Sequence, residues 1–166
     1  MIMMLKLRKN TLLIDQFKLK CSVGKGGIRK KIKEGDKITP KGIFNLGPLY
    51  YRSDKIKFVK SKLILKKIKK NMGWCDDPNS KLYNRPIKIP KNYKYSHEKL
   101  YRNDSKYDFV IPIKYNFSKP IKNKGSAIFL HLTDSYKPTD GCVALKFKDF
   151  LVMINLINKN SKIQIV

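Results

Sequence analysis

The sequence predicts a single, mainly β domain with one helix in its C-terminal half. Short runs with strand-like alternation recur along the chain, and loops rich in glycine and proline separate them. One segment near the C-terminus, 147–158, has apolar residues at helical spacing. The 166 residues suit one domain with a buried core, and neither a repeat nor a low-complexity linker divides residues 1–166.

The first strands are predicted from alternation. In "FKLKCSVG" apolar side chains alternate with Lys18, Lys20 and Ser22, which is typical of a half-buried strand. We expect the opening "MLKLRKNTLLID" to pair with this strand through a turn near Asn10. The stretch "VGKGGIRKKIKEGDKITPKGIF", with five glycines and a Thr-Pro-x-Gly turn, predicts a loop. Its "GKGG" does not match the phosphate-loop pattern G-x-x-x-x-G-K-[ST]. "GIFNLGPLYYR" then resumes as a strand.

Residues 58–104 form a long polar and aromatic excursion, a kind of segment that is often functional. Within it "KLILKKIKK" fits either a strand or a short basic helix, and "SHEKLYR" predicts one helical turn capped by Ser96. Further on, "YDFVIPIKYN" and "GSAIFLHLT" predict strands. "FKDFLVMINLIN" predicts the helix, with Phe150, Ile154 and Ile157 on one face, and "KIQIV" a final strand.

The chain is strongly basic, with 38 Lys and Arg against 12 Asp and Glu and a formal charge of +26. Such a field favours polyanionic partners such as nucleic acid, an anionic lipid surface or an acidic wall polymer. A second explanation stays open, because Lys, Ile, Asn and Tyr are abundant together and an AT-rich genome would favour all four. No specific nucleic-acid motif is present in the sequence.

Several classes of protein are disfavoured by simple patterns. No stretch approaches the roughly 18 apolar residues of a membrane span, so we expect none. The opening "MIMMLKLRKNTLLID" has an apolar run of only five residues, so we expect no secretory signal. The three cysteines lie far apart and leave at least one free thiol. Together with the two histidines they lack the C-x-x-C or H-x-x-x-H spacing of a zinc site.

The stretch "AIFLHLTDSYKPTDGCVAL" carries the candidate chemistry. His131 ends an apolar run, where a strand end would project its side chain into a cleft, and Cys142 begins the next ordered segment. Pro138 and Gly141 can reverse the chain between them. A cysteine becomes a nucleophile as the thiolate and needs a base nearby, and backbone N–H groups beside Gly141 can form an oxyanion hole. The spacing is compatible with a Cys-His acyl-transfer pair. From the residues alone, a buried cysteine and a hydrogen-bonded histidine are favoured over this pair.

The same stretch resembles the active-site signature of the L,D-transpeptidase catalytic domain, the YkuD family, in which a His, a spacer and then Ser/Thr, His, Gly, Cys occur. The matching positions are His131, Thr139, Gly141 and Cys142. Upstream, "EGDKITPKGIF" is similar to the family's Thr-Pro-x-Gly stretch. "GWCDDPNSKLYNRPI" and "SHEKLYRNDSKYDFV" resemble a bacterial subgroup of the family, so that the resemblance covers roughly residues 20–155. The spacer is shorter than usual. Asp140 replaces the second His, and Ala144 stands where Asn or Arg often follows the Cys.

The resemblance implies a β-sandwich or barrel of mixed strands, and a peptidoglycan acyl transfer in cell wall biogenesis and cell shape. Cys142 would attack a stem peptide and release D-alanine, and His131 would be the general acid and base. The backbone at Gly141 would hold the oxyanion, while Thr139 and Asp140 would position the loop. Neither a metal nor an organic cofactor is implied.

Weaker candidates for binding stem peptides or muropeptides lie in the excursion. His97 can line the cleft, Trp74 and Tyr83 can form its wall, and Arg85 or Arg102 can bind a carboxylate bidentately. Surface or packing roles remain open for each of them. The family implies the periplasm or cell envelope, although without a visible signal a cytoplasmic location stays possible. An L,D-carboxypeptidase of the same fold, a non-catalytic wall-binding member, and a basic module for nucleic acid or wall polymer are the alternatives.

Overall fold

Most of the regular secondary structure of the protein consists of β-strands. The computed structural model describes residues 3–166, so that Met1 and Ile2, the start of the opening apolar run, lie outside the described residues. Within this range there are fifteen strands and one helix. They are β1 Met4–Arg8, β2 Thr11–Ile14, β3 Phe17–Ser22, β4 Ile28–Arg29, β5 Thr39–Pro40, β6 Gly42–Asn45, β7 Leu49–Tyr51, β8 Leu65–Lys67, β9 Met72–Cys75, β10 Arg85–Lys88, β11 His97–Lys99, β12 Phe109–Pro112, β13 Phe129–Leu132, β14 Val143–Leu145, α1 Phe147–Leu156 and β15 Lys162–Ile165.

Ten of these strands form one curled mixed sheet, in the order β6-β15-β1-β2-β3-β14-β13-β12-β7-β8. Strands β9, β10 and β11 form a second sheet, and β4 pairs with β5. In the large sheet β13 and β14 run parallel, as do β1 and β15, and β7 and β8. The prediction of a mainly β fold with one helix is confirmed.

The N-terminal strands form a meander whose connections differ from the prediction in one detail. The turn at Lys9 and Asn10 joins β1 to β2 within the opening segment, and a second turn at Asp15 leads from β2 into β3. The alternation of β3 also stops early, because Ser22 is fully buried. Ser22 pairs with Ala144 of β14, and this neighbouring strand lies against the end of β3.

The predicted polar excursion is more regular than its sequence indicates. Residues 72–99 supply the second sheet, in which β11 pairs with β9. The expected helical turn in "SHEKLYR" is therefore wrong: His97–Lys99 is a strand, since pairing with β9 satisfies backbone groups that one helical turn would leave open. "KLILKKIKK" contains the strand β8 rather than a helix.

Two apolar cores lie on opposite faces of β13. Leu130 and Leu132 belong to the larger core, together with the inner face of α1. Phe129 points the other way into a smaller core around Trp74 and Tyr107. This alternation, which follows from the period of two in a strand, also assigns the next odd-numbered residue, His131, to the smaller core's side.

Phe150 anchors the helix to the sheet. Its side chain is fully buried and stacks on Phe109 with ring centroids 5.5 Å apart. We expect Phe150→Ala to lower the free energy of unfolding by about 3–5 kcal/mol, because the truncation leaves a cavity in the larger core.

Urea denaturation followed by circular dichroism measures this loss. Phe147→Ala is the matched control, since Phe147 also stacks on Phe109 but is 44% exposed. Equal losses for the two variants would contradict the assignment of the core.

Candidate active site

A cavity of about 690 Å³ lies beside the smaller core, and both His131 and Cys142 line it. His131 comes from β13, and Cys142 lies immediately before β14. In the parallel pairing of these strands His131 is opposite Ala144, two residues after Cys142. Residues two apart on a strand share a face, so His131, Cys142 and Ala144 face the same space. Ala144 also lines the cavity.

The tautomer of His131 follows from its one hydrogen bond. Nδ1 lies 2.8 Å from the carbonyl oxygen of Leu132, which can only accept, so Nδ1 carries the proton. In the neutral ring Nε2 is then free to act as a base. His131 is 7% exposed, and its ring packs edge-on against Tyr107 at a centroid distance of 5.4 Å. Burial lowers the pKa of His131 from 6.5 to about 4, so the imidazole is neutral at pH 7.

The Cys142 thiol is held by backbone groups. Its sulfur accepts a hydrogen bond from the Phe129 N–H and donates one to the Ala127 carbonyl, both at 3.3 Å. Burial raises the pKa of Cys142 to about 12, so the resting group is a neutral thiol. Among the hydrogen bonds of residues 3–166, none joins this sulfur to His131. The pair therefore rests as thiol and imidazole, not as thiolate and imidazolium.

Thr39 ties the loop before Cys142 to the rest of the fold. Its Oγ1 accepts from the Gly24 N–H and donates to the Gly141 carbonyl, each at 2.8 Å. Gly141 has φ +135°, and a Cβ there would lie 3.0 Å from the Ile38 carbonyl oxygen. The backbone conformation therefore favours glycine at position 141, and a side chain there would also be in tight contact with the Ile38 carbonyl.

Thr139 and Asp140 occupy different places in that loop. Thr139 Oγ1 donates to the Cys142 carbonyl at 2.6 Å and accepts from the Gly141 N–H at 3.2 Å. The Gly141 N–H is thus already engaged in the resting structure. Asp140 is exposed and lines the cavity, where its charge disfavours the Cys142 thiolate.

Comparison with known protein families identifies the family of this chain. The model of the L,D-transpeptidase catalytic domain family, YkuD, matches residues 3–165. The chain belongs to the L,D-transpeptidase catalytic domain family. Comparisons with curated proteins and with solved structures give no match. Members of the family are cysteine-dependent acyltransferases associated with peptidoglycan and typically with the cell envelope.

Three further findings concern membrane-spanning helices, metal clusters and cysteines in the part of the L,D-transpeptidase domain that the structure describes. No helix within residues 3–166 is long and apolar enough to cross a membrane. In the same range no cluster of three or more His, Cys, Asp or Glu side chains is placed to hold a metal ion. The three cysteines are free thiols, and Cys21 and Cys75 are both buried.

The two aromatic residues expected in the cleft wall support the site from behind. Trp74 is 2% exposed, packs edge-on against Phe129, and donates from Nε1 to Asn84. Tyr83 is buried and donates its hydroxyl proton to Glu34. Neither of them lines the cavity. They were predicted as contacts for the substrate, but their large rings are used for packing.

His97 and Arg85 do not line the cavity either. His97 packs against Tyr93, and its Nδ1 lies 2.8 Å from the Tyr95 carbonyl oxygen. On a strand the neighbouring residue faces the opposite way, and it is Glu98 that lines the cavity. Arg85 stacks on Phe117 with its guanidinium carbon 4.6 Å from the ring centroid. Arg102, the second arginine considered from the sequence, does line the cavity.

Asn84 is a residue of the site that the sequence analysis missed. Its Oδ1 accepts from Trp74 and from the Ala127 N–H, at 2.9 and 3.1 Å, and its Nδ2 donates to two backbone carbonyls. Ala127 has φ +51°, a left-handed conformation that is rare outside glycine. Asn84 thereby fixes the strained residue whose carbonyl receives the Cys142 thiol.

Three further lining residues bring charged groups or a hydroxyl group into the cavity, namely Lys31, Glu98 and Tyr107. Lys31 is 2% exposed at its side chain, pairs with Asp36 at 2.5 Å and donates to the Ile38 carbonyl. Burial opposes ionisation of Asp36, but the Lys31 ammonium and backbone N–H donors outweigh it and lower its pKa to about 2. Glu98 accepts from the Tyr107 hydroxyl at 2.9 Å, and burial raises the pKa of its carboxyl. No spacing in the sequence distinguishes Lys31 among its many neighbouring lysines.

The two hydrogen bonds of the Thr39 hydroxyl should stabilise the site. Thr39→Val removes the hydroxyl at nearly constant volume and leaves two buried backbone groups unpaired. We expect a loss of about 1–3 kcal/mol for each group, together with loss of transpeptidase activity because the Cys142 loop shifts. Thr39→Ser keeps the hydroxyl and should retain most of both. Urea unfolding and a transpeptidation assay compare the variants, and an active, fully stable valine variant would contradict this role.

His131 generates a pH dependence of stability. The pKa of His131 is about 4 in the folded protein and 6.5 in the unfolded chain. Between these pH values the unfolded chain binds a proton that the folded protein does not bind. The free energy of unfolding should therefore fall as the pH falls from about 6.5 to 4, by at most about 3 kcal/mol from this group.

Urea titrations at successive pH values in this window measure the slope. His131→Gln should flatten it, and His97→Gln is the control that leaves the cavity histidine in place. A slope in His131→Gln identical to that of the wild type would show that His131 is not buried in its neutral form.

Proposed function

We propose that the protein is an L,D-transpeptidase that transfers peptidoglycan stem peptides through a thioester on Cys142. The observation that carries the proposal is the shared cavity of Cys142 and His131, in which the imidazole keeps Nε2 unprotonated. Membership of the family supports the class of reaction. We infer the cysteine mechanism from the geometry of the cavity, and the substrate from the family.

In the acylation step the resting thiol must first lose its proton. Rotation of Cys142 away from Ala127 and Phe129 brings the sulfur toward Nε2 of His131, which accepts the proton as sulfur attacks the carbonyl carbon of the donor's third residue. The Cys142 N–H stabilises the oxyanion, joined by the Gly141 N–H once it leaves Thr139. The bond to D-alanine then breaks, and its amine leaves with the proton from His131.

In the second step an acceptor amine attacks the thioester carbonyl. The amine gives a proton to His131 Nε2, the carbon–sulfur bond breaks, and the sulfur recovers the proton as a thiol. If water attacks instead, the same cycle gives a shortened, uncrosslinked stem peptide. His131 acts in turn as base, acid and base again. Every proton in the cycle passes through that one nitrogen.

The charges of the cavity suit a substrate that carries both amines and carboxylates. Its basic lining residues are Lys25, Lys31, Arg102, Lys106 and Lys137, and its acidic ones are Glu34, Asp76, Glu98 and Asp140. A donor ending in diaminopimelate and D-alanine presents free carboxylates and an ammonium group. The basic residues can bind the carboxylates and the acidic ones the ammonium.

The proposal is tested by intact-protein mass after incubation with disaccharide tetrapeptide. We expect the wild type to gain the mass of the acyl donor less D-alanine, with one equivalent of D-alanine released, and Cys142→Ala to show neither. Cys75→Ala is the matched control, since it removes a thiol that is buried outside the cavity.

The decay of the adduct identifies the acceptor. Faster decay with a diaminopimelate-containing acceptor, with formation of a crosslink, indicates transpeptidation, whereas decay in water alone indicates carboxypeptidation. A folded wild type that forms no adduct and releases no D-alanine would reject Cys142 as the nucleophile for this donor.

A further inference from the structure

Residues 55–70, "KIKFVKSKLILKKIKK", form a surface that the proposed reaction does not use. We name this segment the lysine edge. It contains eight lysines and neither Asp nor Glu, at positions Lys55, Lys57, Lys60, Lys62, Lys66, Lys67, Lys69 and Lys70. All eight are exposed. Among the described residues Lys55, which pairs with Asp108 at 3.0 Å, is the one member that forms an ion pair.

The lysine edge lies at the border of the large sheet. It includes β8, the last strand of the ten, which pairs with β7 and, within residues 3–166, with no strand on its other side. The segment is nevertheless firmly attached. Leu63 and Ile68 are 6% and 4% exposed, and Ser61 Oγ donates to the Ile154 carbonyl at 2.8 Å. Its exposed side chains therefore project from a fixed backbone.

Three large apolar side chains on the lysine edge remain in solvent. Phe58 is 80% exposed, Ile64 60% and Leu65 40%. Their neighbours Leu63 and Ile68 show that the same segment can bury apolar groups in the core, so these three are left outside by the fold. Exposed aromatic and aliphatic groups interleaved with lysines are typical of surfaces that bind lipid interfaces.

A depression of about 640 Å³ continues from the lysine edge. Lys66, Lys67, Lys69 and Lys88 line it over a floor that includes Met72, and it has no acidic lining residue. The catalytic cavity, in contrast, combines basic residues with four carboxylates. The depression thus has the charge to hold anionic headgroups, and it lacks the carboxylates that would repel them.

We propose that the lysine edge binds the protein to a membrane surface containing anionic lipids. The lysines contact the headgroup phosphates, while Phe58, Ile64 and Leu65 enter the boundary between headgroups and acyl chains. Nucleic acid accounts for the lysines but not for the exposed aliphatic pair, because strand binding uses stacking aromatics rather than aliphatic side chains. The membrane accounts for both features.

Vesicle sedimentation with the full chain tests the charges. Vesicles of phosphatidylglycerol and phosphatidylcholine in equal parts should bind the wild type, and vesicles of phosphatidylcholine alone should not. Lys66→Gln, Lys67→Gln and Lys69→Gln combined should weaken binding about a hundredfold, since a lysine beside an anionic surface contributes roughly fivefold. The control combines Lys6→Gln, Lys9→Gln and Lys18→Gln. It removes the same charge from exposed positions on the N-terminal meander and should weaken binding much less.

Phe58 separates a membrane from a soluble polyanion. Phe58→Ser should weaken vesicle binding about tenfold, because an apolar group no longer leaves water. It should leave binding to soluble polyphosphate unchanged. In Phe58→Trp the added indole emission should shift to the blue on vesicle binding, since the native Trp74 is buried in the core. Thermal unfolding checks that each variant is folded. We expect all of them to fold, because the substituted positions are exposed.

Three outcomes would overturn the proposal. One is absence of vesicle binding by the folded wild type. Another is an equal loss of vesicle binding in both triple variants, which would show that binding depends only on the net charge of the protein. The third is unchanged vesicle binding in Phe58→Ser without a blue shift in Phe58→Trp, which would assign the lysine edge to a soluble polyanion.

Discussion

The parallel pairing of β13 with β14 is the constraint on which the site depends. It places His131 opposite Ala144 and brings Cys142 to the same face two residues earlier. The loop between them has to return along the sheet, and it is fixed there by the Thr39 hydroxyl, which bridges Gly24 and Gly141. Strand alternation then directs the apolar neighbours Leu130 and Leu132 into the larger core. His131 and Cys142, the candidate catalytic residues, face the cavity instead.

Burial gives this site its resting chemistry. The same desolvation that lowers the pKa of His131 raises that of Cys142, so both groups are held neutral. Asn84 holds the strained Ala127 in place, and the Ala127 carbonyl accepts a hydrogen bond from the thiol. Such a pair cannot act through a preformed thiolate. In the mechanism that we propose, the proton moves to His131 as the donor carbonyl arrives, so that Cys142 becomes nucleophilic only in the occupied site.

The sequence allowed the β-rich class and the helix to be predicted, because alternation and helical spacing are local signals. It also indicated the candidate pair, since the stretch around His131 and Cys142 resembles the signature of the family. Predictions from the sequence were wrong where pairing between strands distant in the chain determines the structure. Pairing with β9 made His97–Lys99 a strand, and this turned His97 away and Glu98 toward the cavity. Trp74 and Tyr83 were expected in the cleft, yet both are packed behind it. Asn84 gains its role through residues distant in the chain, such as Ala127, and a single sequence does not reveal such contacts.

The most direct test of the neutral resting pair is the pH dependence of Cys142 alkylation by iodoacetamide, followed by peptide mapping. A thiol with a pKa near 12 predicts slow alkylation at pH 7 and a rate that still rises above pH 9. Rapid alkylation at pH 7 with an apparent pKa at or below about 7, the range of activated cysteines, would contradict the account. It would show that Cys142 and His131 already share a charge-separated pair before substrate binds.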